Sequence, residues 1–458
     1  MAGDGKGAVG IGFDVVVVGG GPAGIAAAVA AGRMGMRAAL VERGRTLGGL
    51  ATLGLCLAPY HDDGGEPLAG GLAEEIVQRL QGAGGTVGHI RWPGGPFGSV
   101  TPADPAGLQS VLSDLVREAG VQVLLQHVGT DVVRDGGRAA GVVAHGAAGR
   151  LEVRGHAVVD ATRDGALAAL AGAAVVAGRG ADLRAVPPTL VLPLADVCLA
   201  TALRSGFAVE GMALWATLPG DRRPSPIYGV GTLEPWGRQV AGDGLALEGG
   251  GYVHCHAGRR GRAVLSVAGL SAEDPSDPWG RSAGELENAR RADGLVRLLR
   301  RRIKGFGSAT RVSPPVTVWE PRRVVGEYLL TEADLLEGRR FVDCVGRGAH
   351  PLPGAGGPAG GGPFLGPRRR GAYDIPYRCL LPRGISGLLM AGRGLSADPR
   401  ALAALRGLPT GFVVGEAAGT AAALAALTGQ DPRHVDIRFL QRTLVKNGAL
   451  LGRAFADL

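Results

Sequence analysis

The chain has 458 residues, 46% of them hydrophobic and 20% charged, a balance that excludes a disordered chain and leaves room for two domains. Its net charge of +8 comes from arginine, Lys6, Lys304 and Lys446 being the only lysines, and with aromatics at 4% there is little to stack on bases, so no nucleic-acid partner is expected. Five scattered cysteines and an acid within MAGDGKGAVG argue against a secretory disulfide framework and point to a cytoplasmic protein. The apolar runs Val15 to Ala31 and Phe412 to Leu427 are broken by glycines or an acid and read as parts of a folded core, so no membrane span is expected.

The first element is the most specific. Residues Asp14 to Glu42 read as an apolar strand, a Gly19-x-Gly21-x-x-Gly24 turn, a small-residue helix opened by Pro22 and Ala23, and a second strand ending on an acid. This is a dinucleotide-binding βαβ unit: Gly19 permits the turn, Gly21 admits a pyrophosphate, Gly24 lets the helix approach the strands, and Glu42 falls in reach of a ribose. The helix N-terminus offers unpaired amides to the phosphates.

A second glycine-bearing loop, Arg43 to Cys56, follows. Helices are predicted over Leu68 to Leu80 and over Pro105 to Ala119, the latter after the start signal Thr101-Pro102-Ala103-Asp104. Between them lies a glycine-rich stretch to about Ser99. Strands are predicted at Val121 to Gln126, Gly129 to Arg134, Ala139 to Ala144 and Leu151 to Arg154, as a meander, and a separate buried strand at Ala157 to Asp160. From about Gly178 to Glu320 the pattern becomes β-rich, with a basic helix around Gly284 to Lys304. His350 to Gly371 reads as a long loop, and a small-residue helix is expected to begin at the turn before Gly415.

The stretch LGGLATLGL, together with the first βαβ unit, resembles the FAD-dependent oxidoreductase family, distant relatives of the fumarate reductase flavoproteins with a glutathione-reductase-type FAD fold. Further segments are similar to that family's motifs: Val158 to Gly165, Trp319 to Tyr328, Ile375 to Arg378, Leu389 to Arg393, and Gly415 to Thr420. Arg163 stands where the family usually carries glycine, and Trp319 and Pro321 replace an arginine and a threonine.

The resemblance implies an α/β protein: a Rossmann-like FAD-binding domain with a parallel sheet and β-meander, carrying an inserted β-rich α+β substrate domain. Residues 13–177 and 375–458 form the two parts of the first, and 178–374 the second, with 331–374 assignable to either. FAD is the expected cofactor. Beyond the glycine turn and Glu42, its contacts are expected from Arg43, Gly48, Gly49, Ala51, Thr52, Val128, Ala161, Thr162, Asp164, Gly392, Arg393, Gly415, Ala417 and Ala418.

Absences narrow the chemistry. Cys56 stands alone in its loop, without the C-x4-C pair of a pyridine-nucleotide disulfide reductase, and no second strand-GxGxxG-helix is present for NAD(P)H. The tryptophan-halogenase pattern W-x-W-x-I-P is also missing. The expected activity is hydride transfer between a small organic substrate and flavin N5, with oxygen or a redox partner as electron acceptor. A flavin monooxygenase, and an RNA-associated or non-catalytic flavoprotein, are the alternatives.

Candidate acid/base and substrate-holding residues are His61, His254, His256, Arg322 and Arg393. Alternation in Tyr252 to His256 puts both histidines of that strand on one face, and nothing in the sequence supplies the further ligands of a metal site.

Overall fold

The computed structural model describes residues 10–176, 188–218, 222–233, 252–257, 261–267, 277–319, 322–352, 371–452 and 455. Most of the expected loop after His350, residues 353–370, lies outside them.

The chain opens with β1 (Gly10–Val18), α1 (Pro22–Arg33) and β2 (Ala38–Glu42), continues with α2 (Leu72–Gly82) and α3 (Pro105–Glu118), and then runs through β3 (Gln122–Leu125), β4 (Val128–Asp135), β5 (Arg138–Gly146) and β6 (Gly149–Asp160). A second group follows: β7 (Thr189–Ala195), β8 (Ala208–Ala216), β9 (Ser225–Thr232), β10 (Tyr252–His256), β11 (Arg262–Val267), α4 (Pro278–Arg302), β12 (Thr310–Arg311) and β13 (Val316–Val318). The chain then returns with β14 (Leu388–Met390), α5 (Leu408–Thr428) and α6 (Ile437–Lys446).

The first sheet has the order β3-β2-β1-β6-β5-β4, with β14 on β6. β1 pairs in parallel with both β2 and β6, β2 with β3, and β6 with β14. Val15, Val16 and Val17 sit between two strands and under helices, fully buried, which is why this strand is a continuous apolar run rather than an alternating one.

The two strands expected at Leu151 to Arg154 and Ala157 to Asp160 are one. Its first half pairs antiparallel with β5 at Arg150 to Arg154, and its last residues, Val158 to Asp160, take β14 in parallel instead. The change of neighbour occurs within an unbroken strand, so the intervening Gly155 and His156 look like a break in sequence and are none. Val121 to Gln126 differs too: it is the parallel edge of this sheet and not part of the meander.

The second sheet, β8-β9-β10-β11-β7-β12 with β13 on β7, is antiparallel throughout, and α4 packs on it through Ala292, Leu295, Leu298 and Leu299. That helix starts earlier than predicted because Asp277 caps it, accepting from the amides of Trp279 and Gly280 at 3.2 and 2.7 Å, with Pro278 in the first turn. Asp104 caps α3 in the same way, accepting from Gly107.

The described residues contain two large separate cores. One gathers residues from Val15 to Ala173 and from Val324 to Phe455; the other runs from Leu190 to Ala309. The chain therefore leaves the first core and comes back to it.

One described helix, α5, is long and apolar enough to cross a membrane, and 83% of that apolar window is buried inside the protein. It lies along α1 at very close range, because Gly415 and Gly419 face the backbone of Ala23 and Ala27 with no room for a Cβ.

Candidate functional site

A cavity of about 440 Å³ opens over the ends of β1, β2 and β6. Its floor is the first turn: Gly19, Gly21, Pro22 and Ala23 line it, with Glu42 and Arg43 at the end of β2. Gly19 has φ +109° and no space for a side chain against the backbone of Ala161, and Gly24 is closed by the carbonyl of Gly19. At Gly21, by contrast, a Cβ would meet nothing within 4 Å. The turn is thus tight where strand and helix must approach and open where a ligand would lie.

The remaining walls come from six places. Val128 lines one side with His127 and Gly129; Ala161, Thr162, Arg163 and Asp164 follow β6; Gly392 and Arg393 follow β14. Gly49 brings Leu50 and Leu53, and the second sheet contributes Arg281 from α4 and Val316 from β13. The turn after β6 is fixed by Asp160, whose buried carboxylate accepts from the Thr162 amide (2.9 Å), the Thr162 hydroxyl (2.5 Å) and the Ala168 amide (2.7 Å).

The last wall is the start of α5, with Gly407, Leu408, Thr410, Gly411 and Val414. The helix begins seven residues before the expected Gly415, capped by Gly407 with Pro409 in its first turn. Gly415, Ala417 and Ala418 accordingly lie a turn or more inside the helix and outside the cavity lining, packed in the core. The sequence carried the right signal in Gly407-Leu408-Pro409, since proline belongs in a first helical turn.

Gly48, Ala51 and Thr52 also fall outside the lining. Gly48, at φ +101°, donates its amide to the Gly20 carbonyl at 2.8 Å, Ala51 is fully buried, and the Thr52 hydroxyl bonds the Gly49 carbonyl at 3.1 Å. They shape the loop that presents Gly49. Glu42 is tied to the turn, accepting from the amides of Gly20 and Gly44, both at 2.5 Å.

The electrostatics are lopsided. Arg43, Arg163, Arg281, Arg393 and Arg406 line the cavity against two carboxylates, Glu42 and Asp164. Burial, with the nearby cations of Arg43, Arg393 and Arg281, pushes Arg163 down to about 10, and burial does the same to Arg393. The Nε and Nη1 of Arg393 are buried with no partner, a costly arrangement for a guanidinium that is relieved by an anion. An FAD pyrophosphate fits this donor set: glycine turn, α1 and α5 N-termini, and surplus arginines.

The candidate acid/base residues are dispersed. Arg393 is in the cavity, whereas Arg322 lies outside its lining, half-exposed, 3.5 Å from Asp164. His61 belongs to a different groove with His89 and Glu74, its ring 3.2 Å from the Ser99 hydroxyl. His254 and His256 share one face of β10, near Cys56 and Tyr228. Cys56 is buried, which pushes its thiol up to about 12. Among the described residues no group of histidine, cysteine and carboxylate side chains could hold a metal ion.

A parallel sheet with a glycine turn at its mouth, a β-meander, and a cationic cavity closed by a second β-rich region define a Rossmann-type dinucleotide-binding flavoprotein. The family model described as FAD dependent oxidoreductase matches residues 14–444. The chain belongs to that family, and FAD is its cofactor.

No curated protein sequence matches the chain. Among solved structures it is similar to the flavin-dependent brominase Bmp2, at 13% identity and TM-score 0.50 over 95% of this chain and 84% of that one. It is also similar to the myxobacterial chondrochloren halogenase CndH, at 16% identity and TM-score 0.50 over 94% and 80%. A geranylgeranyl bacteriochlorophyll reductase-like protein from Thermoplasma acidophilum aligns at 12% identity and TM-score 0.48 over 96% and 85%. At these identities the first two likenesses speak for the fold alone.

Proposed function

We propose that this FAD-dependent oxidoreductase moves a hydride between a small organic substrate and the flavin, and passes electrons on to oxygen or a redox partner. Bound FAD supplies the redox-active ring; the protein supplies charge stabilisation and orientation. The observation that carries the reading is the first turn of α5, Gly407 to Gly411, which lines the cavity. Its free amides and positive dipole end favour negative charge there, by roughly 0.3–1 kcal/mol in exposed settings and more where water is excluded. Arg393 adds a fixed buried cation to the same cavity.

The test is the absorbance spectrum of the purified protein before and after acid precipitation, followed by anaerobic NADPH. The expected result is a flavin spectrum, released by acid, that NADPH leaves unbleached. Rapid bleaching by NADPH would replace this reading with a monooxygenase.

A further inference from the structure

The turn after β6 carries an arginine at 163 where the sequence pattern usually has glycine. It leaves the backbone where the cofactor turns meet: a Cβ on Gly19 would lie 2.9 Å from the Thr162 amide nitrogen, and one on Gly392 3.5 Å from the Thr162 carbonyl oxygen. Arg163 lines the cavity and reaches the second sheet, where its Nη1 lies 3.4 Å from the Thr317 carbonyl oxygen of β13. Among the described residues that carbonyl is its one hydrogen-bond partner, and the contact is long for an N–H to oxygen bond.

β13 belongs to the cavity and to the second sheet at once. Val316, Thr317 and Val318 pair with Val191, Leu190 and Thr189 of β7, and Val316 lines the cavity. Trp319, directly after the strand, stands where an arginine is usual. Its ring covers Gly284 of α4, where a Cβ would lie 2.7 Å from it, and its Nε1 donates to Glu285 Oε1 at 2.7 Å. The tryptophan is therefore committed to α4, and the guanidinium that meets β13 comes from the β6 turn. A guanidinium carries five N–H donors in a planar fork, so Arg163 can hold one carbonyl and keep donors for a second acceptor. An anion is the acceptor such a place favours, because burial and the cations of Arg43, Arg393 and Arg281 push Arg163 down to about 10 and a nearby negative charge opposes both effects.

We propose that Arg163 binds the FAD pyrophosphate and the Thr317 carbonyl at the same time, so that one side chain ties the cofactor phosphates to β13 and through it to the second sheet. The glycine turn and the helix N-termini act on the phosphates from the first core; Arg163 adds the link to the second. Glycine at this position would leave FAD its turn and its helix ends and remove only that link. Arg163 is thus a positioning residue that sets how firmly the two cores close over the cofactor, whichever way the hydride moves.

The experiment compares the native protein with Arg163→Gly and Arg163→Lys, each stripped of FAD and titrated with FAD, with ADP as a diphosphate probe and with riboflavin as a probe without phosphate. Arg163→Gly is expected to weaken FAD and ADP by the same factor, about ten- to a hundredfold for a charge-assisted contact, and to leave riboflavin as in the native protein. Arg163→Lys keeps the charge, loses the fork and is expected to fall between the two. In amide hydrogen exchange, FAD is expected to protect β13 and its partners Thr189 to Val191 in the native protein, and in Arg163→Gly to protect β1 but no longer β13. Unchanged FAD affinity in Arg163→Gly, a loss for riboflavin equal to that for ADP, or β13 protection that survives the substitution overturns the proposal. If Arg163→Gly lowers the melting temperature of the FAD-free protein, Arg163→Lys decides: FAD and ADP weakened together support the link, and native affinity for both overturns the role of the fork.

Discussion

A single carboxyl shows how burial sets chemistry here. Glu416 lies on α5, 3% exposed, and accepts the Leu72 amide at 3.0 Å, so that it caps α2 from a distance in sequence. Burial pushes its pKa up from 4.5 to about 7. A carboxyl whose folded pKa is raised binds its proton more tightly in the native state, so stability is full below pH 4.5 and falls as pH rises to 7. The loss amounts to roughly 3 kcal/mol above pH 7. Glu416→Gln keeps the accepting oxygen and removes the charge. It is expected to raise the melting temperature at pH 8 and to match the native protein near pH 4.5; equal shifts at both values would show that Glu416 is ionised without penalty. Glu42 is the contrasting case. Its carboxylate is held by two amides of its own turn, so its first role is to shape the loop on which a ribose would rest.

At the level of elements, the glycines of two helices do different work, and the difference can be measured. Gly415 and Gly419 let α5 lie against the backbone of α1, whereas Gly21 faces open cavity. Gly415→Val is expected to destabilise the protein with or without FAD, by roughly 1–3 kcal/mol from overpacking. Gly21→Val should leave the melting temperature of the FAD-free protein unchanged and abolish flavin retention. A Gly21→Val protein that stays yellow would remove the turn from the cofactor site. These elements also mark what the sequence made legible. The βαβ unit and α3 were plain because their apolar spacing, glycines and caps are local. The true start of α5 was obscured by a second glycine run inside the helix, and β6 was split in two because a change of partner halfway along a strand leaves no local signal. Thr162 and Gly392 could be placed from motifs. Arg281 and Val316 could not, since they reach the cavity only through the packing of a sheet that begins over a hundred residues after Glu42.

Across the whole molecule, the two cores meet at the cofactor. Leu50, Leu53 and Leu55, from the loop that presents Gly49, pack on Val191, Val264 and Val318 of the second sheet, and Arg281 closes the cavity from that side. A ligand spanning this cavity touches both halves, and its binding energy therefore appears as stability of their junction as well as of the glycine turn. At about a hundred times its dissociation constant, FAD contributes ~2.7 kcal/mol, which for a chain of this length is a rise of about 3 °C in melting temperature. The more specific consequence concerns location. Amide hydrogen exchange should slow on FAD addition in β1, α1 and the first turn of α5, and also around Arg281 in α4 and in β13, because opening the junction would then require releasing the ligand. If protection stopped at the first sheet, Arg281 would be a bystander and the second core would move independently of the cofactor. Arg281→Ala separates the two cases further: it is expected to weaken FAD retention and to cancel the protection of β13 while leaving that of β1 in place.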